Sequence, residues 1–410
     1  MLIAKSGKEL HLLPEMSNRH GLIAGSSGSG KTITLRVMAE NFSKIGVPVF
    51  MADVKGDLTG LEAPGELTQE VRERISKMDL GSFSFEGFPT RYWDVFGEEG
   101  DELKVSLQKL TPLLISRLLN LSEVQNESLA QIFKIAQSYS GEGNIINIDT
   151  IRDMASIVNT IIDNATYLEP QFGKISKPSL ASIQRSLLML EQGGEDVLFS
   201  KDSFDVTRFL QTESNYGVIN IFKARKLYDN PTIYATFLLW MVAELYRALP
   251  ECGDIEKPRI VFFFDEAHLL FDDAPKVLID NIEKLVRLIR SKGVGVFFIT
   301  QNPSDVSDKV LGQLGNRVQH SLRAYTPKEQ KSIKVIAQTF RNTTTLNVEQ
   351  AIQNLKIGEA LISFLDETGA PSPVQKAFVC PPKSMVGGQS FVADAENAPA
   401  STADLLGSLI

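Results

Sequence analysis

The sequence predicts an α/β fold built on a mostly parallel sheet, with a helical block inserted between its two halves. Three observations carry that expectation. Short, almost wholly apolar runs recur along the chain, the mark of strands covered on both faces. A glycine-rich loop follows the first of them and leads into an amphipathic stretch. Between about Gly97 and Asn215 the alternation gives way to helical periodicity, and it resumes afterwards.

His20–Ala24 reads as a short buried strand, followed by the glycine loop and a helix with Leu35, Met38, Ala39 and Phe42 on one face. Gly46 and Pro48 close that helix, and Val47–Val54 reads as a second buried strand. Phe83–Phe96, with its aromatics and Pro89, reads as extended chain. In the helical block, Ile148, Ile151, Ala155, Val158 and Ile162 form one stripe, and Leu180, Ile183, Leu187 and Leu190 form another. Gly217–Phe222, Ile260–Phe264, Val294–Thr300 and Arg317–Ala324 are β-rich apolar runs, and Gly358–Phe364 and Val374–Val379 suggest a final pair. After Pro381–Pro382 the chain turns to Gly, Ser, Ala and Pro, the composition of a mobile tail. The expected organisation is therefore a core from 1–97 and 216–382, a helical insertion at 98–215 and a tail at 383–410.

Composition narrows the class. Apolar residues make up 43% of the 410 and charged residues 22%, as in soluble globular chains. No apolar run approaches the length that crosses a bilayer, and the N-terminus lacks the pattern of a signal peptide. Cys252 and Cys380 lie far apart, and the four histidines show no metal-ligand spacing, which points to the reducing cytoplasm and away from a zinc site. The net charge of −8 argues against coating nucleic acid with the whole surface, though it leaves a local basic channel open.

Gly25-Ser26-Ser27-Gly28-Ser29-Gly30-Lys31-Thr32 matches G-x-x-x-x-G-K-[ST], the Walker A phosphate loop. Glycines let successive backbone N–H groups turn towards phosphate oxygens. The helix that follows adds the positive end of its dipole. Lys31 supplies a charge to the β- and γ-phosphates of ATP, and the Thr32 hydroxyl can ligate Mg2+. A dinucleotide-binding loop is the rival, with Asp53 where an acid would be wanted. Its glycines, however, would be spaced G-x-G-x-x-G, and Lys31–Thr32 would have no task there.

Arg259–Phe264 is an apolar strand that ends in Asp265 and Glu266. Such an aspartate holds Mg2+ (the Walker B role), and the adjoining glutamate can act as general base towards water. Gln301 ends the next apolar run and would emerge at the same sheet edge, either within reach of a γ-phosphate or water or as a merely structural residue. Asp53-Val-Lys55-Gly56-Asp57 leaves the second strand there too, either as a ligand-contacting loop or as a solvated turn. Arg287, Arg290 and Lys292 lie near the end of a helix spanning Lys276–Ser291. They fit a salt-bridged surface or an arginine finger reaching into an adjacent subunit. Arg317 and Arg323 are rival candidates. Lys223-Ala-Arg225-Lys226 is either a phosphate-backbone contact or a solvated loop, and His268 either a γ-phosphate sensor or a structural histidine.

Five segments together resemble the HerA-like and FtsK-like branch of P-loop ATPases, and within it the bacterial YjgR-like group of helicase HerA-like C-terminal domain proteins. They are Asn18–Gly25 running into the phosphate loop, Gly46–Gly60, Phe264–Leu270, Arg287–Pro303 and Gly312–His320. The resemblance covers about residues 1–382. It implies a RecA-like P-loop NTPase core, with ATP and Mg2+ at sites between the subunits of a homo-hexameric ring. It also implies a motor that moves or unwinds DNA. A switch or assembly ATPase acting on protein partners is the alternative.

Overall fold

Phenylalanine, valine and isoleucine fill the central strands, and a pleated backbone sends alternate members of each run to opposite faces. In the computed structural model, which describes residues 1–139, 146–192, 195–272, 274–341 and 346–387, these runs assemble into a 12-stranded sheet. Its strands are β1 (Leu2–Ser6), β2 (Lys8–His11), β3 (Gly21–Ala24), β4 (Val49–Asp53), β5 (Thr90–Asp94) and β6 (Asp101–Glu102). After a small hairpin of β7 (Thr212–Glu213) and β8 (Tyr216–Gly217) come β9 (Ile219–Lys223), β10 (Ile260–Phe264), β11 (Val294–Thr300), β12 (Asn316–Gln319), β13 (Glu359–Ser363) and β14 (Gln375–Val379).

The order is β2-β1-β14-β13-β12-β3-β11-β10-β4-β9-β5-β6. All pairings from β12 through β6 are parallel, and those from β12 back to β2 are antiparallel. Register puts Ala24 opposite Thr300 and Phe264 opposite Phe298, so the loops after β3, β10 and β11 leave the sheet at one edge. β4 and β9 end there as well, with Asp53 opposite Lys223. In a parallel sheet this carboxyl edge is where ligands bind.

Helices cover both faces. Helix α1 (Lys31–Lys44) lies on one face, where Leu35, Met38, Ala39 and Phe42 are all buried, as the stripe predicted. The Phe42 ring stands 6.3 Å from those of Phe263 and Phe297. Helix α2 (Gln69–Met78) follows on the same side. On the other face lie α3 (Pro112–Leu118), α4 (Glu123–Ser138), α5 (Ile151–Asp163), α6 (Ala165–Phe172), α7 (Lys177–Gln192), α8 (Pro231–Ala248) and α9 (Lys276–Ile289). Three more among the described residues are α10 (Asp308–Leu311), α11 (Pro327–Gln338) and α12 (Val348–Asn354). Among the described residues no helix is long and apolar enough to cross a membrane.

The interval expected to be helical is mixed. Asp101–Glu102 extends the sheet beyond β5, and the helices run from Pro112 to Gln192. Their apolar faces join Phe50, Phe222 and Phe262 in one core, so the block is packed on the sheet. In α5 the buried face is Ile151, Met154, Val158 and Ile161. The expected Ala155 and Ile162 fall at its half-buried margin. The strand expected over Arg317–Ala324 ends at Gln319, because Leu322 and Ala324 turn away to pack with Ile333, Ile336 and Ile352 of α11 and α12.

The segment from residue 383, expected to open a tail, is held down at its start. Glu40 of α1 accepts hydrogen bonds from the Lys383 and Ser384 amides at 2.8 and 3.0 Å, and Ser384 is buried. Arg36, one turn earlier, donates to the carbonyls of Thr59 and Met385. A helix residue that finds buried backbone partners fixes the chain that supplies them. Residues 388–410 lie outside the described residues.

Candidate nucleotide site

The glycine loop turns sharply between β3 and α1, and its backbone requires the glycines. Gly30 takes φ 111°, and a side chain at Gly25 (φ 152°) would meet His320 Cβ at 2.5 Å. These left-handed conformations are open to glycine at no steric cost. Lys31 opens α1 almost fully buried. Its Nζ donates to the carbonyls of Gly25 (2.7 Å) and Ser26 (3.1 Å). Burial, aided by the nearby Lys55 charge, lowers its pKa, with Asp265, Glu266 and Asp57 acting the other way.

Asp265 and Glu266 follow β10 as the strand pattern requires. The Asp265 carboxylate accepts the Glu266 amide at 2.9 Å, and its carbonyl accepts the Tyr234 hydroxyl of α8 at 2.8 Å. Glu266 adopts the left-handed conformation at φ 48° and is 1% exposed. Its carboxylate is crowded: Lys55 Nζ stands 2.5 Å from Oε1 and His268 Nδ1 3.3 Å from Oε2. Gln301 Nε2 faces the same oxygens at 3.4 and 3.5 Å, which places it at the site as expected but at the long limit of a hydrogen bond. The two acids titrate apart. Burial pushes Asp265 up to about 6, although Lys55 opposes the rise. Burial also works against the charged form of Glu266, yet His268 and Lys55 outweigh it and hold the group down at about 2.

The loop after β4 turns out to be part of this site. Asp53 Oδ1 accepts the amides of Gly56 (2.7 Å) and Asp57 (3.2 Å), closing a tight turn, while Oδ2 pairs with buried Lys223 at 3.2 Å. That pair accounts for Lys223, which is an anchor between β4 and β9 and not an exposed contact for phosphate. From the anchored turn Lys55 reaches Glu266, and Asp57 Oδ2 accepts the Thr32 hydroxyl at 2.9 Å. Thr32, Asp57 and Asp265 thus offer hard oxygen donors, the set that suits Mg2+. Among the described residues no group of three or more His, Cys, Asp or Glu is gathered as a metal cluster. A Mg2+ at this site would rest largely on phosphate and water oxygens, as is usual for that ion.

The arginines fall elsewhere. Arg290 follows α9 beside Arg19 and Asp254, before the start of β11. Seven residues of strand, about 20 Å at roughly 3.3 Å each, separate it from Gln301 at the other sheet edge. Arg317 does not fit the finger role: its guanidinium donates to the carbonyls of Leu311 (3.1 Å), Leu314 (3.2 Å) and Thr339 (3.4 Å), the work of a structural anchor. Arg323 is exposed.

Two buried histidines frame the loop and were not singled out for a role by the sequence. His320 Nδ1 donates to the Glu359 carbonyl (3.1 Å), so Nε2 is the acceptor for the Thr34 hydroxyl (2.8 Å). His20 accepts the Val296 amide on Nδ1 (3.1 Å) and therefore donates from Nε2 to the Val286 carbonyl (2.7 Å). Burial lowers both to about 4. In the unfolded chain they protonate near 6.5, so between those values the unfolded state binds more protons and stability falls as pH falls. We expect a loss of about 2 kcal/mol per histidine between pH 7 and 5. Urea unfolding at both pH values checks this, and His20→Gln, though less stable at pH 7, should show a smaller decline.

A family model described as helicase HerA-like C-terminal matches residues 2–407. The curated relative "Probable helicase MJ1565" of Methanocaldococcus jannaschii is 22% identical over 353 residues, and the match covers 85% of this chain and 60% of the relative. Among solved structures, the plasmid coupling protein TrwB in complex with a non-hydrolysable ATP analogue superposes with a TM-score of 0.64 at 14% identity, covering 95% of this chain and 96% of that one. TrwB has also been solved with ADP and Mg2+, at a TM-score of 0.61 and 14% identity over 92% of this chain and 88% of that one. VirB4 of Thermoanaerobacter pseudethanolicus gives 0.57 at 16% identity, covering 95% and 96%. At these identities the structural likeness speaks for the fold, a RecA-like P-loop core.

Proposed function

Because the chain belongs to the helicase HerA-like C-terminal family, we propose that it is a Mg2+-dependent ATPase that works as a ring, a homo-hexamer, and couples hydrolysis to movement along DNA or its unwinding. The observation that carries the hydrolytic half is convergence. The phosphate loop, Asp265, Glu266 and Gln301, drawn from three neighbouring strands, meet at one sheet edge with a lysine and an aspartate from a fourth.

In this reading the loop amides and Lys31 bind the β- and γ-phosphates. Thr32 and Asp265, with Asp57 beside them, would hold Mg2+, which neutralises phosphate charge when bound. Glu266 takes the proton of the attacking water, and Gln301 orients that water. In a ring, exposed Arg290 would be the arginine that approaches a neighbour's nucleotide, with Arg287 and Arg323, exposed as well, as its rivals. DNA as the track is supported by the family, and by relatives described as a probable helicase and a plasmid coupling protein.

The test is steady-state ATPase activity with and without double- and single-stranded DNA, at low and moderate salt. Stimulation of several-fold is expected, weakening as salt rises because phosphate contacts release counterions. Turnover that ignores DNA at both salts would overturn the DNA track. It would favour action on a protein partner, a reading to which the net charge of −8 is congenial.

A further inference from the structure

The Glu266 carboxylate cannot do the work proposed for it in the arrangement described. Oε1 is held by the Lys55 ammonium at 2.5 Å, and Oε2 faces His268 at 3.3 Å. Gln301 lies across both, and the side chain is 2% exposed. A carboxylate offers about four lone-pair sites, and Lys55, His268 and the two Gln301 contacts face them all. Water reaches Glu266 as a general base only when a donor gives way, and the closest contacts are those of Lys55 and His268.

The two differ in how easily they can. His268 sits in a short helical turn two residues beyond Glu266, Ala267–Leu270, whose neighbours are buried. Lys55 projects from an exposed tip, Lys55–Asp57, and its side chain is 41% exposed. The base of that tip is fixed by Asp53, which binds the Gly56 and Asp57 amides and Lys223. The tip itself turns at Gly56, where φ is +77° and the space a side chain would enter is open to 4 Å. A flexible four-carbon side chain on a rigid pedestal can exchange one anion for another without moving the backbone. The second anion would be close at hand, since Asp57 of the same tip accepts the hydroxyl of Thr32, next to Lys31 in the phosphate loop, at 2.9 Å.

We propose that Lys55 is a positioning residue that senses the γ-phosphate: with ATP bound, its ammonium leaves Glu266 Oε1 for a γ-phosphate oxygen and so frees the base, whereas with ADP it stays on Glu266. The base is thereby free only while a γ-phosphate is present to hold Lys55. The inference rests on the ATPase reading above, and it adds an exchange of ion pairs with no change in covalent bonds.

The exchange has a thermodynamic signature. ATP must pull Lys55 from Glu266, so weakening that pair tightens ATP and leaves ADP alone. Fluorescent mant-ATP and mant-ADP are titrated into the full-length protein, Glu266→Gln, Lys55→Met and the double variant. Glu266→Gln is expected to bind mant-ATP about tenfold more tightly than the parent, with mant-ADP unchanged. In the Lys55→Met background the same substitution should change mant-ATP affinity less than about twofold, because the pair it would release is gone. Lys55→Arg should restore the coupling. Equal effects of Glu266→Gln in both backgrounds would overturn the proposal alone, by showing only the loss of a negative charge near the phosphate. A parent protein that binds neither nucleotide would overturn the ATPase reading and this proposal with it. Mant-ADP affinity reports that each variant is folded.

Discussion

Glu266→Gln is expected to lower steady-state ATP turnover by at least about a hundredfold, the scale of losing a general base, while ATP still binds. The substitution is nearly isosteric, and the surroundings of Glu266 favour its being tolerated. The residue stands in a left-handed conformation after β10 at φ 48° and ψ 48°. This backbone costs on the order of 1 kcal/mol in a residue other than glycine. The turn that imposes it, with the Leu269 amide bonded to the Glu266 carbonyl at 2.9 Å, does not depend on the side chain's charge. A glutamine amide can still lie between Lys55 and His268, but it cannot accept a proton. The loss should therefore appear in kcat, accompanied by a lower melting temperature, because the charge that Lys55 and His268 stabilise is gone. Retention of full turnover by Glu266→Gln would remove the general base from this position and leave Asp265 as a metal-holding acid without a catalytic neighbour.

What could be read from the sequence, and what could not, divides by the range of the interaction. β10 and β11 are found at the residues expected, because their phenylalanines and valines are buried on both faces and little else can be done with such runs. The phosphate loop and the Asp265–Glu266 pair are local motifs, written in consecutive residues, and the sheet register then brings them to one edge. β1 and β2 left no comparable mark. Their residues alternate with lysine, glutamate and histidine at a sheet margin, and β1 is fixed by pairing with Phe378 and Val379 near the other end of the chain. The same holds within the site. That Asp57 meets Thr32 and Lys55 meets Glu266 follows from β4 lying beside β10, a neighbourhood no spacing in the sequence records. Tyr234 reaches the Asp265 carbonyl from α8, and it carries no motif at all. The arginines could not be told apart for a related reason. A positive residue near the end of a helix or strand looks alike whether it binds carbonyls, as Arg317 does within its own chain, or stands exposed, as Arg290 does.

Lys31→Ala should weaken ATP binding by on the order of a hundredfold or more, equivalent to about 3 kcal/mol, the usual loss when one partner of a desolvated charge pair is removed. Lys31 is 7% exposed, with its ammonium at 2.7 Å from the Gly25 carbonyl, so the charge is already withdrawn from water and directed into the loop. A phosphate that displaces those carbonyls gains a cation whose desolvation has largely been met in folding, which is why the position contributes so strongly to affinity. Alanine leaves the loop backbone intact, since its turn is set by the glycines at 25, 28 and 30 and by the Ser26 amide bonded to the Ser321 carbonyl at 2.9 Å. It also relieves the protein of a buried ammonium whose pKa is already lowered by burial, so thermal stability should be equal or slightly raised. Opposite movements of affinity and stability separate a binding role from a structural one. Titration with mant-ATP, together with thermal melting of the same preparation, measures both. An affinity within about threefold of the parent protein would mean that the phosphates are held elsewhere, whereas a collapse of the melting temperature would mean that Lys31 serves the loop and not the ligand.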